Sequence, residues 1–212
     1  MAKRMYDNPY PSVTQALGVL RKIGLEMWFK FNTAQFCNEE SSKGKLIGKQ
    51  IHQAIQDQIE AKEVKIETEY AEEVMNALNS FMKFKKEHPE FILKKAEMVL
   101  TSEKYKYNGT MDCLGDDGVP VIFDWKTGKC KDKTEPPIYD EYIHQVAAYV
   151  YAYNEQEQKN IKRAYILAIA KDKVGYSLQR MDEQEIVDNF NEAFLPALKI
   201  YKFQQSKKKG SW

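Results

Sequence analysis

The chain is expected to adopt an α/β (α+β) fold, a mixed β-sheet flanked by helices with a helical part in front of it. Three observations carry that expectation. Up to Pro89 the apolar residues recur at helical spacing, as in Ile47, Ile51, Ile55 and Ile59. Beyond Pro89 the apolar period shortens toward two, as in a strand. From there strand-like and helix-like segments follow in the order β-β-β-α-β-β-α, which calls for a sheet with helices on both faces.

The elements follow in order. Ser12-Val13-Thr14-Gln15 reads as a capping box after Pro9-Tyr10-Pro11, opening a helix over residues 12–31 with Leu17, Leu20, Ile23, Met27 and Phe31 on one stripe. Residues 38–44 are polar and read as a loop, followed by a second amphipathic helix over 44–60. A third covers 70–88, with Val74, Leu78, Phe81 and Phe84 on its apolar face, and Pro89 closes it. Residues 91–102 and 105–114 read as strands, with Gly115-Asp116-Asp117-Gly118 as a hairpin turn. Residues 119–125 form a β-branched and aromatic run, expected as a buried central strand. A lysine-rich loop with Pro136-Pro137 leads to a helix over 138–155. Strands over 163–170 and 175–181 precede a last helix over 182–203. No internal repeat is visible. The expected organisation is one structural domain: a helical part (1–90), a core (91–205) and a flexible basic tail (206–212).

Composition is that of a globular protein: 30% charged, 43% hydrophobic and 12% aromatic residues. The formal net charge of +1 announces no global basic field. A basic groove balanced by acidic residues elsewhere remains compatible with DNA, and lysines are dense at 83–86, 94–95, 129–133 and 207–209. Cys37, Cys113 and Cys130 show no close pairing, which fits a reducing, cytoplasmic environment and argues against disulfides or tetrahedral zinc. No apolar run approaches the ~18 residues that span a bilayer, and the first residues lack the apolar stretch of a signal peptide.

The chemistry concentrates in three stretches: Gly109-Thr110-Met111-Asp112, Phe123-Asp124-Trp125-Lys126 and Gln145-Val146-Ala147-Ala148-Tyr149. Mg²⁺ or Mn²⁺ takes hard oxygen ligands, typically one or two carboxylates with water and phosphate. Asp112 and Asp124 supply these if their strands are neighbours, and the hairpin between them makes them so. The Trp125 carbonyl would add a neutral ligand. Lys126 lies two positions after Asp124, so the strand period puts both side chains on one face. There a lysine can orient an attacking water and offset phosphate charge. An ionised aspartate beside Val121-Ile122-Phe123 is costly unless paired or metal-bound.

Glu97 and these motifs, in this order, resemble the PD-(D/E)xK nuclease superfamily, and its RecB-like exonuclease branch in particular. Pro11-Ser12-Val13-Thr14 and Gly48-x-x-x-His52 resemble that branch's upstream motifs, so the likeness covers roughly residues 11–153. It implies a restriction-endonuclease-like core with Asp112 and Asp124 as metal ligands, Lys126 as catalytic lysine and His52 completing the metal shell, a feature associated with Mn²⁺. It further implies that Gln145 and Tyr149, one helical turn apart, position substrate or Lys126, with Glu97 a supporting acid. The proline before the first aspartate is absent here. The iron–sulfur members need four cysteines, one before the core and three near the C-terminus, so no cluster is expected.

Each residue also has a plainer role: His52 at a core edge, Trp125 and Tyr149 in packing, the 129–133 lysines on a solvated loop. The expected function is a metal-dependent exonuclease on single-stranded or free-ended DNA, in phage, viral or mobile-element replication or recombination. Such a protein would act in the cytoplasm, the host's if viral, away from membranes. Lys129, Lys131, Lys133 and Tyr107 are candidate DNA contacts. Trp28, Phe29 and Phe31 are further stacking candidates, with packing the expected role for most. The alternatives are a structure-specific or nicking endonuclease, an RNA-directed enzyme, or an inactive nucleic-acid-binding module. Homo-oligomers and recombination or replication partner proteins stay open, since monomers and toroids both occur on this fold.

Overall fold

The computed structural model describes residues 6–66, 68–130 and 133–208. Its centre is a five-stranded sheet in the order β1-β2-β3-β4-β5. The strands are β1 (Ile92–Ser102), β2 (Tyr107–Asp116), β3 (Pro120–Gly128), β4 (Ala164–Ala170) and β5 (Tyr176–Met181). β3 and β4 are parallel and the other neighbours antiparallel. A parallel pair needs a crossover, which α5 (Asp140–Glu157) supplies. Gly118 takes the left-handed conformation (φ +100°) that the β2–β3 turn requires.

Each face of the sheet carries its own apolar layer. On one side lie α3 (Ala34–Ile59) and α4 (Ala71–Glu87), which bury Ile47, Ile51, Ile55, Phe81 and Phe84 against Phe123, Trp125 and Leu167. On the other, α5 is enclosed between the sheet, α1 (Val13–Leu17) and the C-terminal helices, with Val146 to Val150 all buried. The N-terminal helices α3 and α4 are thus a layer of one shared core. Among the described residues no helix is long and apolar enough to cross a membrane.

Three local expectations fail for readable reasons. Ser12 does form a capping box with Gln15, but the expected helix over 12–31 breaks. After Leu17 the backbone tightens into i→i−3 bonds (Gly18 N–H to Gln15 O, Leu20 N–H to Leu17 O), which end α1. α2 (Ile23–Phe31) starts afresh and buries none of its residues. The expected loop at 38–44 is helix instead. α3 begins at the Thr33 cap, and the polar run faces solvent between two buried anchors, Cys37 and Ile47. The last helix continues to Lys208, through part of the expected flexible tail, as α6 (Glu183–Asp188), a π-helical segment (Asn189–Phe194) and α7 (Leu195–Lys208). Pro196 lacks an N–H and crowds the carbonyl four residues back, and the wider π turn just before it relieves that crowding.

Candidate active site

The β2–β3 ladder runs from Asp116–Pro120 to Cys113–Phe123 and stops. The next opposed positions are Asp112 and Asp124, where the two strands part. Asp112 Oδ2 there accepts the Trp125 N–H at 2.7 Å, replacing a ladder partner. In a strand the N–H and C=O of one residue point the same way, so the Trp125 carbonyl faces the same opening. Its side chain is core, edge-on to Phe81 at 5.7 Å.

The other strands and helices bring further groups to this opening. His52, on α3, places Nδ1 3.3 Å from Asp112 Oδ1. Glu97 stands between the pairs Ala96–Cys113 and Met98–Met111, opposite Asp112. Its φ of +53° is left-handed backbone, a conformation that costs a non-glycine residue about 1–3 kcal/mol and concentrates at functional sites. One ligand atom each from His52, Glu97 and Asp112 lie within 4.8 Å of one another. Glu97, expected only to support the site, therefore joins the convergent ligand set. Asp124 is beside it, with its carboxylate engaged by the Lys126 ammonium. The expected strand-face pairing of Asp124 and Lys126 holds.

The electrostatics follow from burial. Asp124 is 1% exposed and Asp112 7%. Burial pushes the Asp124 carboxyl up to about 6; the Lys126 charge opposes this and the Asp112 charge adds to it. Burial also acts on Asp112, but His52, Lys126 and the Trp125 N–H outweigh it and hold that carboxyl below its ordinary value. Burial would depress His52, yet the charge and hydrogen bond of Asp112 prevail and raise it. Three carboxylates thus share a largely buried space with one lysine and one imidazole. Even a protonated His52 leaves the group net negative, a costly state without a cation. The donors, carboxylates with one imidazole and a carbonyl, suit a divalent ion.

Helix α5 lines the opposite side. Gln145 donates to the Tyr149 hydroxyl one turn on. Tyr149 is buried, and its ring fills the place where a Cβ on Gly109 would come within 2.6 Å of it. The glycine of the Gly-Thr-Met-Asp stretch is therefore what lets Tyr149 pack on β2 beside Asp112. Val13 of α1 closes that contact, which places the upstream Pro-Ser-Val-Thr stretch behind the site.

The family model described as the PD-(D/E)XK nuclease superfamily matches residues 25–206. The chain belongs to the PD-(D/E)XK nuclease superfamily. Nucleases of this superfamily use divalent metals, in keeping with the donor set of His52, Glu97 and Asp112. No curated protein matches the chain. Among solved structures it is similar to the alkaline exonuclease LHK-Exo of Laribacter hongkongensis in complex with dAMP (12% identity, TM-score 0.42, 95% of this chain and 94% of that chain). It is also similar to a phage-related exonuclease of Haemophilus somnus 129PT (13%, 0.42, 74% and 82%) and to SSO0001 (12%, 0.38, 62% and 59%). The chain thus spans less than two thirds of the length of SSO0001.

The candidate DNA contacts fare unevenly in this structure. Tyr107 is corrected: it is fully buried, donates its hydroxyl to Ala148 O at 2.8 Å and packs edge-on to Phe194. It is a core residue that no strand of DNA can reach. Lys129 lines a cavity beside Lys126. Lys133 lines a separate groove along β5, and Lys131 lies outside the described residues. Phe29 and Phe31 are not core residues, being 49% and 71% exposed, although the Phe29 ring rests edge-on against Trp28.

Two residues near the site escaped the sequence reading. The Tyr142 ring lies 5.3 Å from Lys126 Nζ, a cation–π contact. Its signal was present, since Tyr142, Gln145 and Tyr149 fall at i, i+3 and i+7 on one helix face. Lys171 follows the last residue of β4, beside the end of β3. Ligands of open α/β sheets gather at such carboxyl ends.

Proposed function

We propose that this nuclease is a Mg²⁺- or Mn²⁺-dependent DNA exonuclease that hydrolyses phosphodiester bonds of single-stranded or free-ended DNA. The observation that carries the reading is the end of the β2–β3 ladder, where Asp112 and Asp124 meet His52, Glu97 and Lys126 around one opening. His52, Glu97 and Asp112 would hold the ion, with Asp124 and the Trp125 carbonyl completing its shell. A bound divalent ion would stabilise charge on the phosphate and make water more acidic there. The imidazole in the donor set favours Mn²⁺ over Mg²⁺.

Lys126 would orient the attacking water and offset charge on the phosphate oxygens. Its ammonium is held between Asp124 and the Tyr142 ring. Gln145 and Tyr149, tied by their mutual hydrogen bond, would position substrate or that lysine. Action on free ends, a phage or mobile-element setting and a replication or recombination role rest on the resemblance of the five motifs to the RecB-like branch. A nicking endonuclease on the same core is the second reading.

The test is digestion of 5′- and 3′-labelled single-stranded and duplex DNA, beside closed circles and RNA, with Mn²⁺ or Mg²⁺. Shortening of labelled ends with circles left intact is expected. Nicked circles with unshortened ends would replace the exonuclease reading by the endonuclease one. A folded protein that cleaves nothing with either ion would be a binding module.

A further inference from the structure

The cavity beside Lys126 is not accounted for by the metal cluster. Its volume is about 390 Å³, within the range of pockets that hold small ligands. The carboxyl ends of the parallel strands β3 and β4 form its floor. Aromatic rings form its walls: Trp28 from α2, and Tyr139 and Tyr142 at the start of α5. Tyr139 is 53% exposed and stands edge-on to Tyr142 at 5.4 Å.

Two features of these walls are not explained by packing. α2 buries no residue, so the core has no use for Trp28, which is steadied by the Phe29 and Phe36 rings at 5.1 and 6.3 Å. The charge is also one-sided. Lys126, Lys129 and Lys171 line the cavity against a single carboxylate, Glu40. Among the described residues neither Lys129 nor Lys171 forms an ion pair. Burial, then the neighbouring charge of Lys129, keeps the Lys171 ammonium below its ordinary pKa, so an anion beside Lys171 would relieve it.

Exposed aromatic faces beside unpaired lysines are what an unstacked nucleotide requires. Every base has a π-face to stack, and every nucleotide a phosphate to neutralise. In a duplex the base faces are already stacked and out of reach. We propose that this cavity seats the nucleotide next to the scissile phosphate of a single strand, its base on the Trp28, Tyr139 and Tyr142 rings and its phosphate on Lys129 and Lys171. The assignment rests on the nuclease reading and adds the strand form that the site accepts.

The experiment is fluorescence anisotropy of a labelled oligothymidylate, and of the same strand in a blunt duplex, titrated with full-length protein in EDTA so that no cleavage occurs. Trp28→Ala and Tyr139→Ala are each expected to weaken single-strand binding by about 5- to 150-fold, the range that stacking spans, and to leave duplex binding where it was. Trp28→Phe should recover most of the affinity, which a merely structural loss would not. Lys171→Gln should flatten the salt dependence by about one phosphate contact. Single-strand binding unchanged in both alanine variants, or duplex binding lost in parallel, overturns the proposal. So does a wild type that binds no single strand. A wild type that shows this binding pattern yet cleaves nothing would sink the nuclease reading, and with it the scissile phosphate, and leave the cavity as a single-strand binding site only.

Discussion

Asp124 is 1% exposed on β3, with β4 paired along its whole length, whereas α2 buries none of its nine residues and exposes Ile23, Leu25, Met27, Phe29 and Phe31. Both regions border the same cavity through Lys126 and Trp28. The difference separates two tasks. Charged groups that must meet within a few ångströms sit on elements that the core cannot release, where their geometry is fixed before substrate arrives. The wall proposed to meet a flexible strand sits on an element none of whose residues is buried, at the low end of local stability.

The largest effect expected on the strand side is catalytic. Lys126→Ala should slow metal-dependent cleavage by about 10²–10⁴-fold, with an unchanged circular dichroism spectrum. Retained cleavage would remove Lys126 from the reaction. On the same side, Phe81→Ala empties a fully buried position under Trp125 and should lower unfolding stability by about 3–5 kcal/mol, measured by denaturant titration. Gly109→Ala drives a methyl into the Tyr149 ring and should cost about 1–3 kcal/mol through overpacking. Cleavage should fall in addition, as Tyr149 and Gln145 move. A variant as stable and active as wild type would mean that Tyr149 has room the structure does not show.

The pH dependence sharpens the contrast, because α2 has no group of this kind. The Asp124 carboxyl titrates near 6 without metal, above its unfolded value of about 3.9. Between about pH 4 and 6 the metal-free folded state therefore binds more protons than the unfolded one. Asp124 thus makes its stability fall as pH rises through that window. Divalent-ion affinity has the opposite slope: it should drop as pH falls, first as His52, held above its ordinary value by Asp112, takes a proton, and again through about 6, when a proton occupies the Asp124 carboxylate. Calorimetric titrations at a series of pH values read this directly. The smallest effect belongs to α2. Phe31→Ser, at a 71% exposed position, should change stability by no more than about 0.5 kcal/mol. A loss as large as that of Phe81→Ala would show that α2 is packed after all.

The sheet was largely legible because period-two alternation and the Gly-Asp-Asp-Gly turn leave local marks, and each of the five strands lies within a few residues of its expected place. The surface helices were not. Asn38 to Gly44 reads as a loop because its only apolar anchors, Cys37 and Ile47, lie outside the polar run. The stripe from Ile23 to Phe31 reads as core because hydrophobicity does not say what will cover it. Asp112, Asp124 and Lys126 were legible by type and spacing. The convergence of Glu97 with His52 and Asp112 was hidden in a backbone angle, and the burial of Tyr107 in a tertiary contact with Phe194. Tyr142 could have been found from its spacing to Gln145. Trp28 and Lys171 are brought to the cavity only by the packing of distant segments.

The measurement closest to the central claim is calorimetric titration of Mn²⁺ into metal-free protein at neutral pH, wild type beside Asp112→Asn and Glu97→Gln. The account predicts a binding event that both substitutions weaken by tenfold or more, about 1.4 kcal/mol, because both side chains contribute to one ligand set. Equal affinity in all three proteins would mean that the opening between β2 and β3 is not where the ion binds.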